Sequence, residues 1–306
     1  MEDIFFDSHT HLVDKGFADD RDEAIKRARA VGVARTLVVG GDMETNRLAV
    51  EMAHKMPDCL CAAVGFHPNS LPEMPDNWRE ELEKAASQPG VVALGETGLD
   101  LFRKRSSFAR QQDAFAFHMS LSRSTGLPLV IHQRSAEREM LAMLRSETDA
   151  HGPVKGVMHC FAGDEKYAEA LVELGMYVSF AGTITYPRNR SQRHALSVIP
   201  EDKLLLETDA PYLPPDGHRG ERCEPSMLEL VAVRVAEQLR LDTLDVARIT
   251  RRNAIRLFRV DAPDPGAVVY PIRKSLYVNM TNRCSSSCVF CPLSRNEYIV
   301  KGHNLK

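Results

Sequence analysis

Imidazole and carboxylate side chains stand at the ends of short apolar segments in this sequence. These residues are His9, His11, His67, Glu96, His132, His159 and Asp209. His9 and His11 are two residues apart, so an extended strand would project both to the same side, about 7 Å apart, where one ion could contact both. Together, the histidine nitrogens and the carboxylate oxygens of this set suit zinc, manganese or magnesium. Without His67, four histidines and two carboxylates remain. They exceed the needs of one ion, but they suit two ions about 3.5–4 Å apart that share a bridging group.

The elements that must position these residues follow a regular alternation. Eight β-branched or apolar segments, each followed by an amphipathic stretch, are candidate strands: 4–9, 35–41, 60–67, 91–96, 128–133, 154–161, 176–182 and 203–210. Strands that alternate with helices indicate a parallel sheet, and eight such units can close a (β/α)8 TIM barrel. The carboxyl ends of the strands would then gather the candidate ligands on one face. A doubly wound open sheet is the alternative, but the glycine-rich turn after the first strand that would favour it is absent, since residues 1–12 contain no glycine.

Composition restricts the class of protein. The chain of 306 residues is 43% hydrophobic and 26% charged, which is typical of a globular protein with a large core. A net charge of −3 gives no general attraction to nucleic acid or anionic lipid, so any affinity for phosphate must come from local cations or bound metal. We find no secretory signal or membrane-length apolar run, and the seven cysteines are scattered. We therefore expect a cytoplasmic protein with reduced thiols, no membrane association and no obligate protein partner.

A series of motifs resembles one known family. From residue 4 to about 258 the chain reads FDSHTHL, VGFHPN, GETGLD, LVIHQR, GVMHCFAG, LLLETDAPYL and ERCEP, in that order. As a set they resemble the TatD family, metal-dependent DNases of the amidohydrolase superfamily. The resemblance implies a (β/α)8 barrel that hydrolyses phosphodiester bonds in DNA with two divalent ions (Mg, Mn or Zn). It further implies that His9, His11 and Asp209 hold the first ion, that His132 and His159 hold the second, and that Glu96 bridges them.

Catalytic and substrate-binding roles follow from these groups. Water bound between two ions has its pKa lowered from about 15.7 toward 7, and Asp209 could take or orient its proton as general base. Glu96 is predicted to be catalytic as the bridging ligand. We expect His67, Arg222 and Glu224 to contact the substrate, with Arg222 as the loop cation for phosphate. The alternative activity is hydrolysis of an amide or ester, because the same ions could activate water against a carbonyl.

The C-terminal part of the sequence differs in composition. Three prolines in 260–271 mark a linker, assigned to 263–275, between a hydrolase domain (1–262) and a fragment (276–306). In the fragment, Cys284, Cys288 and Cys291 follow the strand-like sequence SLYVNMT with the spacing C-x3-C-x2-C. This resembles the loop of radical SAM enzymes that holds a [4Fe–4S] cluster with an open iron for S-adenosylmethionine. A zinc-binding or inert tail is the alternative.

The fragment is too short to enclose a cofactor. One strand and a loop cannot exclude water, so we expect the truncated start of a radical SAM domain. Cluster and S-adenosylmethionine would then bind only if that domain were completed. In a third possible function, the barrel is the hydrolase half of a radical SAM modification fusion.

Overall fold

The computed structural model describes residues 4–260 together with the backbone of four short strands beyond them. These are β9 (Val269–Ile272), β10 (Ser275–Val278), β11 (Ile299–Val300) and β12 (His303–Asn304). They form two separate antiparallel pairs, β9 with β10 and β11 with β12. Cys284, Cys288 and Cys291 lie outside the described residues.

Eight parallel strands form one sheet in chain order. They are β1 (Phe5–Thr10), β2 (Val33–Val39), β3 (Leu60–Val64), β4 (Val91–Asp100), β5 (Leu129–Arg134), β6 (Gly156–Met158), β7 (Tyr177–Phe180) and β8 (Leu204–Leu206). Hydrogen bonds from β1 to β8 and to the segment just after β8 bring the two ends of the sheet together. The hydroxyl of Ser8 donates to the Leu206 carbonyl (2.9 Å), and the Asp209 N–H donates to the His9 carbonyl (3.0 Å). The (β/α)8 TIM barrel expected from the sequence is confirmed, and the doubly wound alternative is wrong.

Nine helices surround the strands within residues 4–260. They are α1 (Arg21–Ala30), α2 (Met43–Lys55), α3 (Trp78–Ala86), α4 (Phe108–Thr125), α5 (Glu137–His151), α6 (Glu165–Glu173), α7 (Arg190–Leu196), α8 (Leu228–Leu239) and α9 (Thr243–Phe258). Several begin at a side-chain cap, which satisfies backbone N–H groups that have no partner inside the helix. Asp42 caps α2 by accepting from the Thr45 N–H (2.8 Å), and Asp164 caps α6 by accepting from the Tyr167 N–H (2.9 Å).

The core ties the strands to one another and to the helices. One buried cluster takes at least one side chain from each of the eight strands and packs them against Leu257 and Phe258 of α9. A larger cluster fills the space between the strands and the helices. In this described part, Cys59, Cys61, Cys160 and Cys223 are free thiols. None of its helices combines the length and the apolar character needed to cross a membrane.

Several strands end at different residues from those expected. β3 ends at Val64 and β8 at Leu206, so His67 and Asp209 lie in the loops that follow them. β8 is short because the N–H of Thr208 turns to the carboxylate of Asp7 (3.0 Å) instead of continuing the ladder with β7. β4 instead extends to Asp100, because its pairing with β5 continues to Asp100 and Arg134. The boundary at 262 stays a prediction.

Candidate metal centre

Six side chains that the sequence placed at strand ends meet at one end of the barrel. His9 lies on β1, Glu96 on β4 and His132 on β5, while His11 and His159 directly follow their strands and Asp209 lies in the loop after β8. Five of the six line a cavity of about 640 Å³, and His9 is fully buried behind them. The chain therefore brings together residues that are up to 200 positions apart, as a barrel does for residues at its carboxyl end.

The first half of this cluster contains four ligand atoms. His9 Nε2 and His11 Nε2 lie 3.1 Å apart, and Glu96 Oε2 lies 3.5 and 3.3 Å from them. Asp209 Oδ1 lies 3.6 and 3.5 Å from the same two nitrogens. A tetrahedron of ligands with bonds of about 2.0–2.1 Å has edges of about 3.3 Å, so these spacings suit a small divalent ion.

The second half is built on the other oxygen of the same glutamate. Glu96 Oε1 lies 2.8 Å from His132 Nδ1 and 2.8 Å from His159 Nε2, and the two nitrogens are 3.5 Å apart. Since Oε2 faces the first half and Oε1 the second, Glu96 stands in the position of a bridging ligand. This geometry could hold a pair of ions.

The outer ring nitrogens fit the same arrangement. His11 Nδ1 donates to the Val39 carbonyl (3.1 Å), so Nε2 is the nitrogen that can offer a lone pair to an ion once it has lost its proton. His132 Nε2 lies 3.4 Å from Asp100 Oδ2, and His159 Nδ1 lies 3.4 Å from Glu207 Oε1. Both distances are long for a hydrogen bond, and both ring nitrogens are buried without a closer partner. A carboxylate behind a metal-binding histidine is a common arrangement that fixes its orientation and tautomer.

The electrostatics of the cluster favour cations. Burial alone would raise the pKa of Glu96, but the charge of His159 and hydrogen bonds from His11 and His132 hold this pKa well below its usual range. Burial would likewise lower the pKa of His11, yet hydrogen bonds to Asp209 and Glu96 raise it to about 10. The buried carboxylates therefore stay ionised and keep neighbouring imidazole rings protonated. A bound divalent ion would supply the balancing positive charge in place of those protons.

His67 presents a protonated nitrogen to the cavity. Its Nδ1 accepts a hydrogen bond from the Asn69 N–H (3.0 Å), while its Nε2 lies 3.4 Å from Glu96 Oε1. A neutral imidazole that accepts at one nitrogen carries its proton on the other. His67 Nε2 is therefore a donor that faces the cavity, and a lone pair for a metal ion is not available there.

Arg222 and Glu224 lie apart from the cavity lining. The Arg222 guanidinium binds both oxygens of Asp20 (2.6 and 2.7 Å) and Glu224 Oε1 (2.6 Å). It also donates to the Gly16 carbonyl (2.6 Å) and stacks on the ring of Phe17. Arg222 thus ties the loop after β8 to the loop after β1, and the substrate-binding role expected for it and Glu224 stays a prediction.

Sequence reasoning missed two carboxylates of the site. Asp100 and Glu207 are fully buried, and both lie behind metal-facing histidines. The available signal was their place in the motifs GETGLD and ETDAPYL, at or just after the ends of β4 and β8. Only the length of β4 and the turn after β8 show which histidine each of them faces.

Comparison with known proteins agrees with this geometry. A family model described as TatD related DNase matches residues 6–259. The chain belongs to the TatD family. It is 35% identical over 258 residues to an uncharacterized metal-dependent hydrolase, YabD of Bacillus subtilis, covering 84% of this chain and 100% of YabD. It is 36% identical over 262 residues to the 3′-5′ ssDNA/RNA exonuclease TatD of Cronobacter turicensis, covering 84% of this chain and 98% of that relative.

Solved structures of the family share the fold. The crystal structure of YjjV, a TatD homologue from Escherichia coli, superposes with a TM-score of 0.80 at 32% identity and covers 85% of this chain and 100% of YjjV. The TatD family relationship makes this chain a metal-dependent hydrolase. The family match ends at residue 259 and gives no support to a radical SAM fragment.

Proposed function

We propose that this chain is a two-metal nuclease that hydrolyses phosphodiester bonds of single-stranded DNA. The observation that carries the proposal is Glu96, whose two carboxylate oxygens each face one pair of histidines at the base of an open cavity. The relative named 3′-5′ ssDNA/RNA exonuclease supports nucleic acid as the substrate class.

Six residues would hold the ions. His9, His11 and Asp209 would bind one, His132 and His159 would bind the other, and Glu96 would contact both. When bound, the ions would lower the pKa of a water molecule toward 7 and neutralise charge that develops on the phosphoryl oxygens.

The chain's own groups would orient the reactants. Burial raises the pKa of Asp209, but hydrogen bonding to His11 and the charge of His9 outweigh burial and lower it, so the carboxylate is ionised at neutral pH. Because it lines the cavity, it can accept a hydrogen bond from the attacking water and hold its proton as general base. His67 Nε2–H can donate to a phosphoryl oxygen or to the leaving oxygen.

The test removes Glu96 and Asp209 one at a time. Glu96→Ala and Asp209→Ala should each lose divalent-dependent cleavage of a fluorescent single-stranded oligonucleotide, by at least about 100-fold. The control is Glu83→Ala on the exposed face of α3, which should cleave as the unchanged chain does. Circular dichroism would show that the fold is kept, and metal content would show which ions each variant still binds. Full activity in either of the two site variants would contradict the two-metal assignment.

The same centre could polarise a carbonyl, so amide or ester hydrolysis is the alternative activity. A panel of bis(p-nitrophenyl) phosphate, p-nitrophenyl acetate and an oligonucleotide separates the two. Turnover of the acetate with no turnover of either phosphodiester would favour the alternative.

The C-terminal prediction also has a direct test. Iron and acid-labile sulfide bound by the full chain, and lost on replacing Cys288, would support a [4Fe–4S] loop at Cys284, Cys288 and Cys291. Nuclease activity of residues 1–262 alone would count against a barrel that acts only within a radical SAM fusion. Cytoplasmic location stays a prediction.

A further inference from the structure

A strip of basic and aromatic side chains borders the metal cavity on the side of β4 and β5. We call it the β4–β5 track, and it consists of Phe102, Arg103, Lys104, Arg105, Arg134 and Arg138. Arg103 and Arg134 line the metal cavity itself. Lys104, Arg105 and Arg138 line a second, open cavity of about 860 Å³. The loop after β4 and the segment from the end of β5 into α5 therefore each contribute residues to both cavities.

The charges of the track are available for a ligand. Arg103, Lys104, Arg105 and Arg134 are exposed, and within residues 4–260 none has a carboxylate partner within 4.0 Å. Arg138 contacts Glu139 (2.9 Å) but its side chain remains 91% exposed. Arg222 and Arg193 differ, because protein oxygens surround their guanidinium groups. The track thus provides local positive charge on a chain whose net charge is −3.

The aromatic member of the track is held outward by the fold. Phe102 is 62% exposed, the highest value among the exposed large hydrophobic side chains of the described residues. Its backbone is fixed, since the N–H groups of Phe102 and Arg103 both donate to Asp100 Oδ1 (3.0 and 2.7 Å). The Arg134 guanidinium lies 4.0 Å from the ring centroid. An exposed aromatic ring paired with arginine is a platform on which nucleic-acid bases stack.

We propose that the β4–β5 track binds the single strand next to the bond that is cleaved. Cations of the track contact successive phosphates, and one base stacks on Phe102. This inference rests on the proposed function and specifies its substrate as a polynucleotide that extends beyond the metal centre. Electrostatic grooves with interleaved aromatic residues bind single strands in this way.

The opposite rim of the barrel offers a weaker site. Arg188, Arg190 and Arg219 are exposed there, but they line neither of the two cavities described above. Arg219 lies over the ring of Tyr186 (5.1 Å). These three arginines form a matched control, because they carry the same charge near the same end of the barrel.

The test measures binding without turnover. The full chain is titrated into a fluorescein-labelled oligodeoxythymidylate of about 16 nucleotides with phosphorothioate linkages, and anisotropy is followed across salt concentrations. Each phosphate contact on a single strand contributes about −0.7 to the slope of log K against log salt. The triple variant Lys104→Asn/Arg105→Gln/Arg138→Gln should therefore reduce the slope by about 2. Asparagine suits position 104, whose φ of +52° lies in the left-handed region.

Phe102→Ala tests the stacking contact separately. It should weaken binding by about fivefold or more, because stacking contributes about 1–3 kcal/mol per base, and it should leave the salt slope as it is. The control Arg188→Gln/Arg190→Gln/Arg219→Gln should change neither quantity. Circular dichroism and metal content would show that each variant is folded.

Two results would contradict the proposed binding role of the β4–β5 track. One is an unchanged slope in its triple variant together with unchanged affinity in Phe102→Ala. The other is an equal loss of slope in the control, which would indicate diffuse charge instead of a defined path. Failure of the proposed function is a distinct result, in which the unchanged chain cleaves no DNA while the anisotropy still reports whether the track binds it.

Discussion

Replacing Glu207 by glutamine should weaken metal binding while leaving the barrel folded. Glu207 is fully buried and serves three groups. Its Oε1 accepts from the Cys160 N–H (2.6 Å) and faces His159 Nδ1 (3.4 Å), and its Oε2 accepts from the Ser179 hydroxyl. Glutamine has the same shape. Its amide oxygen can keep the Cys160 contact, and its NH2 group can donate to the Ser179 oxygen.

The change therefore isolates the negative charge behind His159. Burial alone would lower the pKa of His159, but Glu96 and Glu207 raise it well above its usual range, so both carboxylates favour a positive partner at this ring. Removing an outer carboxylate behind a metal-binding histidine typically costs about 10- to 100-fold in affinity, or about 1.4–2.7 kcal/mol. We expect a loss in this range for the ion at His132 and His159, with a smaller effect on the other ion.

The assay is competition for Zn²⁺ or Mn²⁺ between the full chain and a chelating dye. Glu169→Gln on the exposed face of α6 is the matched control and should bind both ions as the unchanged chain does. Glu207→Ala should bind the ion at His132 and His159 more weakly than Glu207→Gln does, since alanine leaves the Cys160 N–H and the Ser179 hydroxyl without an acceptor. Unchanged affinity for both ions in Glu207→Gln would refute the role that we assign to this carboxylate.

The remaining predictions concern pH, helix capping and the loop network. The pKa of His11 is raised to about 10, so an ion must displace its proton, and affinity measured with the same dye should rise between about pH 6 and 8. The raised pKa of His11 also stabilises the metal-depleted fold at pH values below the unfolded pKa of about 6.5. The Tm of metal-depleted protein should therefore fall as pH rises toward 10, whereas the Tm of metal-loaded protein should change less. Asp42→Ala removes the acceptor for the Thr45 N–H and should lower the free energy of unfolding in urea by about 1 kcal/mol. Arg222→Ala should lower Tm by releasing the loop after β8 from Asp20, and an unchanged Tm with a raised KM for DNA would instead indicate direct substrate binding.

The sequence by itself determined the fold and the composition of the candidate centre. Alternating strand-like and amphipathic segments specify a parallel sheet because parallel strands must be joined by crossovers, and helices are the usual crossover. The number of these units, eight, is enough to close the sheet into a barrel. His9, His11, Glu96 and His132 stand at strand ends in the chain, so closing the barrel places them on one face without further information. That part of the prediction depends only on local pattern and topology.

The tertiary structure decided which atoms face one another. β4 continues to Asp100 because its partner β5 continues pairing, and the turn after β8 brings Glu207 behind His159. The tautomer of His67 depends on the Asn69 N–H, and the place of Arg222 depends on Asp20 from a loop about 200 residues earlier in the chain. Such contacts form between segments that are distant in sequence, so they depend on distances and angles that no local pattern encodes.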